Sequence, residues 1–447
     1  MPQPPVFDVL GVGFGPSNLA LAIAVTEHNA AAAAEDVVTA HFVERQATFG
    51  WHRGMLIDDA TMQVSFLKDL VTLRNPNSTF TFLSYLHAQG RLVDFINHKS
   101  LFPLRVEFHD YFEWAAGRVD DLVSYGHDVV DVRPVVEDGV TTHFDVTSRT
   151  AAGGVEVLRA RNLVLATGLR ASLPDGVPQS ERVWHNRDFL HRVRSLHDPK
   201  RLVVVGAGQS GAEVTAFLHE HFPAAEVCAV FARYGYSPAD DSPFANRIFD
   251  PDAVDDYFGA PEQVKRQLMD YHANTNYAVV DNDLIAELYR RVYREKVLGA
   301  RRLRLLNLSR VAGLDDGVDG LRVTVESLAT GEREVLDADA VVYATGYLEA
   351  DPTALLGDLA ARCARDARGR LVVGRDYRLD TDDDVLAGLY LQGGTEHTHG
   401  ISSSLLSNTS VRVGEILRSV LDRKGLVGGT AAVPAQPRYA VTASPVS

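Results

Sequence analysis

Short apolar runs recur along this chain at lengths that read as buried strands, and two of them run into glycine-rich turns. Val6–Leu10 is the first, and it ends in Gly11-Val12-Gly13-Phe14-Gly15-Pro16-Ser17-Asn18. The helix expected next carries Leu19, Ala22 and Ile23 on one face. An alanine-rich run, Ala30–Ala34, lengthens the crossover to a strand over Val37–Val43 that stops at Glu44. From Val129 to Val164 apolar and polar residues alternate between turn signals, as in an antiparallel excursion, and the stretch closes in Ala166-Thr167-Gly168.

The same grammar restarts at Arg201. A strand over Leu202–Val205 meets Gly206-Ala207-Gly208-Gln209-Ser210-Gly211, a helix is expected from Ser210, and a strand over Glu226–Phe231 ends near Arg233. Between Asp240 and about Ile285 the alternation disappears, which reads as a small, mostly helical insert. Strands resume at Leu321–Val325 and Ala340–Tyr343, the latter closing in Ala344-Thr345-Gly346-Tyr347. Gly388–Leu391 then leads through Gly393–Gly400 into a final amphipathic helix. The expected class is α/β, with two Rossmann-like nucleotide-binding domains and a small helical substrate-binding insert. Residues 1–172 and 349–425 form the first domain, 173–240 and 288–348 the second, and 241–287 the insert. The Gly-, Ala-, Pro- and Ser-rich segment 426–447 reads as a disordered tail.

Composition narrows the function. The 447 residues are 46% hydrophobic and 23% charged, ordinary for two or three globular domains. The net charge of −15 comes without a basic stripe, so nucleic acid is not an expected partner. No signal peptide and no membrane-length apolar run is visible, so a soluble cytoplasmic protein is expected. The two cysteines, Cys228 and Cys363, lack CxxC spacing, which disfavours disulfide exchange and reads as two unrelated buried thiols.

A strand, a glycine turn and a helix aim backbone N–H groups and a helix N-terminus at a pyrophosphate, and two such units suggest a flavoprotein reduced by a nicotinamide. In the first turn Gly11, Gly13 and Gly15 are followed by Pro16 at the third-glycine position, and proline suits a first helical turn. Glu44 is placed to accept from a ribose hydroxyl. The second turn keeps full spacing at Gly206, Gly208 and Gly211, and its second strand ends in Arg233, which suits the 2′-phosphate of NADPH. By pattern alone Trp51-His52 lines a flavin ring or is simply core. Lys68 beside Asp69 reads as a surface ion pair. Asn246 and Asn276 bind a ligand or cap helices. His397 and His399 lack a persuasive third metal ligand, and a turn beside a cofactor is the preferred reading over a metal. Gly400-Ile401-Ser402-Ser403-Ser404 would give the last helix a donor-rich N-terminus that stabilises negative charge on a flavin.

Together Gly11–Asn18, Trp51-His52, Phe66–Pro76, Gly206–Glu213, Asp240–Asp250, Thr275-Asn276-Tyr277, Ala344–Tyr347 and Thr398–Ser407 closely resemble the flavin-dependent N-hydroxylating monooxygenases of siderophore biosynthesis, specifically the L-ornithine N5-monooxygenases. The resemblance implies FAD at Gly11, Gly13, Gly15, Pro16, Glu44, Trp51, His52, Gln63, Thr345, Gly346 and Ser404. It implies NADPH at Gly206, Gly208, Ser210 and Arg233. It turns Lys68 into the anchor of the ornithine carboxylate, with Asn246 and Asn276 on its α-amino and carboxylate ends and Gln63 and Asn276 in catalytic positions. The implied reaction takes O2 through a C4a-hydroperoxyflavin to the neutral side-chain amine and yields N5-hydroxyornithine, in a homotetramer. A lysine N6-monooxygenase is the nearest alternative. A ketone- or sulfide-oxidising flavin monooxygenase fits less, because Val183–Phe189 does not match its Phe-x-Gly-x-x-x-His pattern. A flavin redox sensor would need no amino-acid anchor.

Overall fold

The computed structural model describes residues 4–276, 278–318 and 320–424, so the expected 426–447 tail lies outside the described residues. The first unit begins with β1 (Val6–Val12), α1 (Pro16–Ala31) and β2 (Ala40–Glu44). Helices α2 (Phe82–Ala88), α3 (Leu92–His98) and α4 (Arg105–Gly117) follow, then β3 (Val123–Tyr125). The expected antiparallel excursion is β4 (His127–Glu137), β5 (Val140–Thr150) and β6 (Val155–Leu165).

β1 pairs in parallel with β2 and β6, placing Gly11 opposite Phe42 and Val164. It is apolar almost throughout because both faces are covered. The lower half of β6 pairs with β5, while its upper half pairs in parallel with β1 and a strand from the far end of the chain. One face of this sheet packs on α1, α2 and α4 through Phe82, Tyr85, Phe108 and Tyr111.

The chain leaves this unit through β7 (Leu169–Ala171). The second unit contains β8 (Val183–His185), α5 (Phe189–Arg192), β9 (Arg201–Val205), α6 (Gln209–His221) and β10 (Glu226–Val230). The insert supplies α7 (Pro251–Gly259) and α8 (Glu262–Asn276). Helix α9 (Asn282–Leu298) crosses the expected boundary at 287/288, and its Leu288 packs in the core of the second unit with Val214 and Leu218. A continuous helix cannot be divided between insert and nucleotide unit, so α9 belongs to the latter as the crossover into β11 (Leu303–Leu306). The parallel order is β11-β10-β9-β15-β8, with β15 at Ala340–Tyr343. A meander of β12 (Ser309–Gly317), β13 (Gly320–Ser327) and β14 (Arg333–Ala338) covers one face.

The return crossing is β16 (Tyr347–Glu349), which pairs antiparallel with β7, so both passages between units lie side by side. Then β17 (Gly388–Leu391) joins β6, which closes the nested order. Two helices close the described residues, α10 (Glu396–His399) and α11 (Thr409–Lys424). The final helix therefore does not begin at Ser402–Ser404. Those residues form a separate 3-10 turn, ended by extended backbone at Leu405.

Candidate active site

The first glycine turn is shaped by close packing at two glycines and by openness at the third. A Cβ on Gly11 would lie 2.3 Å from the Phe42 ring, and one on Gly13 would lie 2.4 Å from the Ala166 carbonyl oxygen. Gly13 also has φ +82°, a conformation that favours glycine. Gly15 faces open space and caps α1 with no side-chain acceptor, and Pro16 stands in the first turn. The start of α1 therefore lacks a side-chain cap, which suits an anion at a helix N-terminus. Glu44 is buried, and its two oxygens accept from the Phe14 amide at 2.7 Å and the Gln46 amide at 2.8 Å. A carboxylate has about four acceptor positions, so a ribose hydroxyl fits beside these two bonds.

The second turn repeats the design. Gly206 has φ +133°, and a Cβ there would meet the Ala344 carbonyl oxygen at 2.3 Å. Gly208 caps α6, again with no side-chain cap, and Ser210 stands in the first turn. Arg233 reaches across the turn: its Nη1 donates to the Ala278 carbonyl at 2.7 Å and to Ser237 Oγ at 3.3 Å.

Aromatic rings gather beside the return crossing of the chain. Trp51 meets His52 edge-on at 4.8 Å, and His52 meets Tyr347 edge-on at 5.8 Å. His52 is exposed, yet its imidazole pKa is lowered to about 4, first by desolvation and then by Arg105. Gly346, with φ +82°, accepts at its carbonyl from the Ser172 amide at 3.0 Å and lies 2.9 Å from His185 Nε2. The Thr345 hydroxyl donates to the Ser172 carbonyl. These two expected cofactor residues therefore hold the paired crossings together.

Lys68 follows from the aromatic core beneath it. The Tyr111 hydroxyl donates to the Phe80 carbonyl at 2.9 Å and accepts from the Leu70 amide at 3.3 Å. Asp69 is buried, and its carboxylate accepts from the amides of Val71, Thr72 and Phe82 at 3.0, 2.6 and 2.8 Å. Asp69 is thus committed to its own loop, and the surface ion pair suggested by pattern alone does not form. Lys68 is half-buried, and no carboxylate among the described residues pairs with it. An unpaired ammonium of this kind suits an anionic ligand group. Asn246 is also half-buried, and its Nδ2 donates to the Asp241 carbonyl at 2.8 Å, a local turn contact. The Asn276 and Ser404 side chains lie outside the described residues.

His397 and His399 go separate ways. His397 Nε2 lies 2.8 Å from the Leu371 carbonyl oxygen, while His399 stacks on Tyr377 at 4.0 Å. Cys228 and Cys363 are both free and buried.

Sequence reasoning passed over the network that joins the units. Gln63 Nε2 donates to Asp281 Oδ2 at 2.6 Å, and Gln209 Nε2 donates to the same oxygen at 3.1 Å and to Glu213 Oε1 at 3.0 Å. Burial raises the Asp281 pKa. Arg105 then grips Glu213 with both terminal nitrogens, at 2.6 and 2.9 Å, and donates to the Met55 carbonyl at 3.0 Å. The side chains of that pair are only 11% and 5% exposed. Arg105 and Glu213 stand 108 positions apart, so no local spacing announces them, although Glu213 closes the second glycine motif. Gln63 was expected at the flavin; here its amide ties the first unit to the loop before α9.

The chain matches the model of the L-lysine 6-monooxygenase/L-ornithine 5-monooxygenase family over residues 5–349. It is 42% identical to the L-ornithine N(5)-monooxygenase of Burkholderia cepacia over 410 residues, 90% of this chain and 91% of that one. Among solved structures, the ornithine N-hydroxylase of Kutzneria sp. 744 with reduced FAD, NADP+ and L-ornithine superposes with a TM-score of 0.90 at 50% identity, covering 94% of this chain and 100% of that one. The L-lysine 6-monooxygenase of Pseudomonas syringae superposes with a TM-score of 0.81 at 31% identity, covering 94% and 100%. With its two glycine turns and these matches over most of its length, the chain belongs to the L-lysine 6-monooxygenase/L-ornithine 5-monooxygenase family.

Proposed function

We propose that this chain is an NADPH- and O2-dependent flavin monooxygenase that hydroxylates the side-chain amine of L-ornithine at N5. The carrying observation is its greater likeness to the ornithine N-hydroxylase crystallised with all three ligands than to the lysine enzyme. FAD, once reduced by NADPH, supplies an activated oxygen drawn from O2.

The chain supplies binding, position and dryness. Gly11, Gly13, Gly15, Pro16 and Glu44 would hold the FAD nucleotide, and Trp51, His52, Gln63, Thr345, Gly346 and Ser404 would serve its flavin end. Gly206, Gly208, Ser210 and Arg233 hold NADPH. Lys68 takes the ornithine carboxylate, with Asn246 and Asn276 beside it. Ornithine must present a neutral amine, because an ammonium has no lone pair. Partial desolvation of that amine on binding would disfavour its ammonium form. With the amino-acid head clamped, one extra methylene misplaces the reacting nitrogen. Apolar selection for a methylene is worth only ~1–3 kcal/mol, so lost alignment carries the discrimination.

The assay is NADPH oxidation and hydroxylamine formation with ornithine, lysine and putrescine, FAD added. Ornithine should give coupled turnover, and lysine some NADPH oxidation with little hydroxylamine. Rapid, fully coupled lysine hydroxylation would overturn the ornithine assignment.

A cytoplasmic setting and a homotetramer belong to the same reading. The two buried free thiols support a reducing compartment. Among the described residues no helix is long and apolar enough to cross a membrane. For assembly, Val93, Ile96, Leu101 and Phe102 are exposed apolar side chains on α3 and the loop after it. Light scattering measures the mass.

A further inference from the structure

Arg412, in the first turns of α11, is 2% exposed. Its Nη1 donates to the Ser403 carbonyl, and its Nη2 donates to Thr409 Oγ1 at 3.2 Å and to Ser17 Oγ at 3.4 Å. Its Nε is buried with no partner. Among the described residues no carboxylate forms an ion pair with it. The nearby Glu415 is gripped by both terminal nitrogens of Arg375, at 2.8 and 2.9 Å. A guanidinium stays charged in a protein, and a buried charge calls for a counter-charge. Burial alone already lowers the Arg412 pKa.

Arg412 lines a cavity beside the first glycine turn. Ser17, Thr167, Gly168, Gln392 and Gly394 share its wall. The buried Oε1 of Gln392 and Oγ of Ser403 also lack partners. Ser17 stands in the first turn of α1, whose cap contributes no side-chain acceptor. Two sources of positive potential, a helix N-terminus and a buried guanidinium, thus face one cavity at the first glycine turn. We infer that Arg412 is the cationic floor of the FAD site and pairs with the FAD diphosphate, fixing the cofactor from a helix some 400 residues beyond the glycine turn. The inference rests on the flavoprotein reading above.

The test uses the full chain stripped of flavin. Kd values for FAD, ADP and riboflavin are measured by calorimetry and flavin fluorescence in wild type, Arg412→Met and Arg412→Lys. FAD and ADP should each bind at least tenfold more weakly to the Met variant, with Lys intermediate, because it keeps the charge and loses the fork. Riboflavin, which lacks the diphosphate, should bind all three alike. If the Met variant does not fold, the Lys variant and the wild type carry the test: ADP must raise the wild-type melting temperature and do so less with Lys. FAD and ADP affinities within twofold of wild type in the folded variants overturn the inference. So does a riboflavin loss equal to that of FAD, which moves the charge to the flavin ring. A wild type that binds FAD and hydroxylates ornithine while Arg412→Met binds FAD normally defeats only this assignment. A wild type that binds no FAD defeats the flavoprotein reading itself.

Discussion

Replacing Arg105 by Met should separate the two nucleotide units before it unfolds either. The guanidinium holds Glu213 at 2.6 and 2.9 Å in a pair exposed by only 11% and 5%. Arg105 belongs to α4 of the first unit, and Glu213 to α6 of the second. Removing it leaves the Glu213 carboxylate buried, with the Gln209 amide at 3.0 Å as its remaining side-chain donor. Breaking one partner of a buried pair costs about 3–5 kcal/mol. At roughly 2–4 °C per kcal/mol for a unit of this size, the first melting transition should fall by about 10 °C. The second unit also carries the NADPH turn, so flavin reduction by NADPH in stopped flow should slow more than FAD affinity falls. Glu213→Leu should cost a similar amount. The double variant should recover much of the loss, because an apolar pair of similar volume replaces a buried ion pair at little or no cost. Double-mutant-cycle melts measure the coupling. A single-variant cost below about 1 kcal/mol, or costs that simply add in the double variant, would refute the clamp.

Three further outcomes are expected. Lys68→Ala should raise the ornithine KM roughly 10- to 100-fold, the worth of a charge-assisted bond, and leave the FAD Kd unchanged; an unchanged KM removes the anchor. Arg233→Ala should narrow the preference for NADPH over NADH in steady-state kinetics, and an unaltered ratio would exclude contact with the 2′-phosphate. Buried His399 has a pKa lowered to about 3, first by desolvation, so the unfolded chain binds the extra proton between pH 3 and 6.5. Stability should therefore be fully present above pH 6.5 and fall on acidification, by about 2 kcal/mol from this residue between pH 7 and 5. Chemical denaturation of His399→Gln should show a flatter profile over that range, and an equally steep one would contradict the burial argument.

Much of the site was legible because backbone geometry speaks locally. A glycine turn needs small residues where Phe42 and Ala344 approach, and those residues are adjacent in the chain. Side-chain partnerships were not legible in the same way. Glu44 proved to support its own turn, Asp69 turned inward away from Lys68, and Ser402–Ser404 formed a separate 3-10 turn before the last helix. Each depends on which group lies nearest after packing.

The two strand–turn–helix units, their nesting, the antiparallel excursion and the helical nature of the insert are written along the chain. These arise from apolar periodicity and from glycines that tolerate φ values other residues avoid. Only the tertiary structure decided that α9 serves the second unit, that Gln63, Asp281, Gln209, Glu213 and Arg105 bind the units together, and that Arg412 faces the first turn. Those outcomes follow from long-range desolvation, since a buried charge takes whatever partner folding brings to it and no spacing along the chain encodes that encounter.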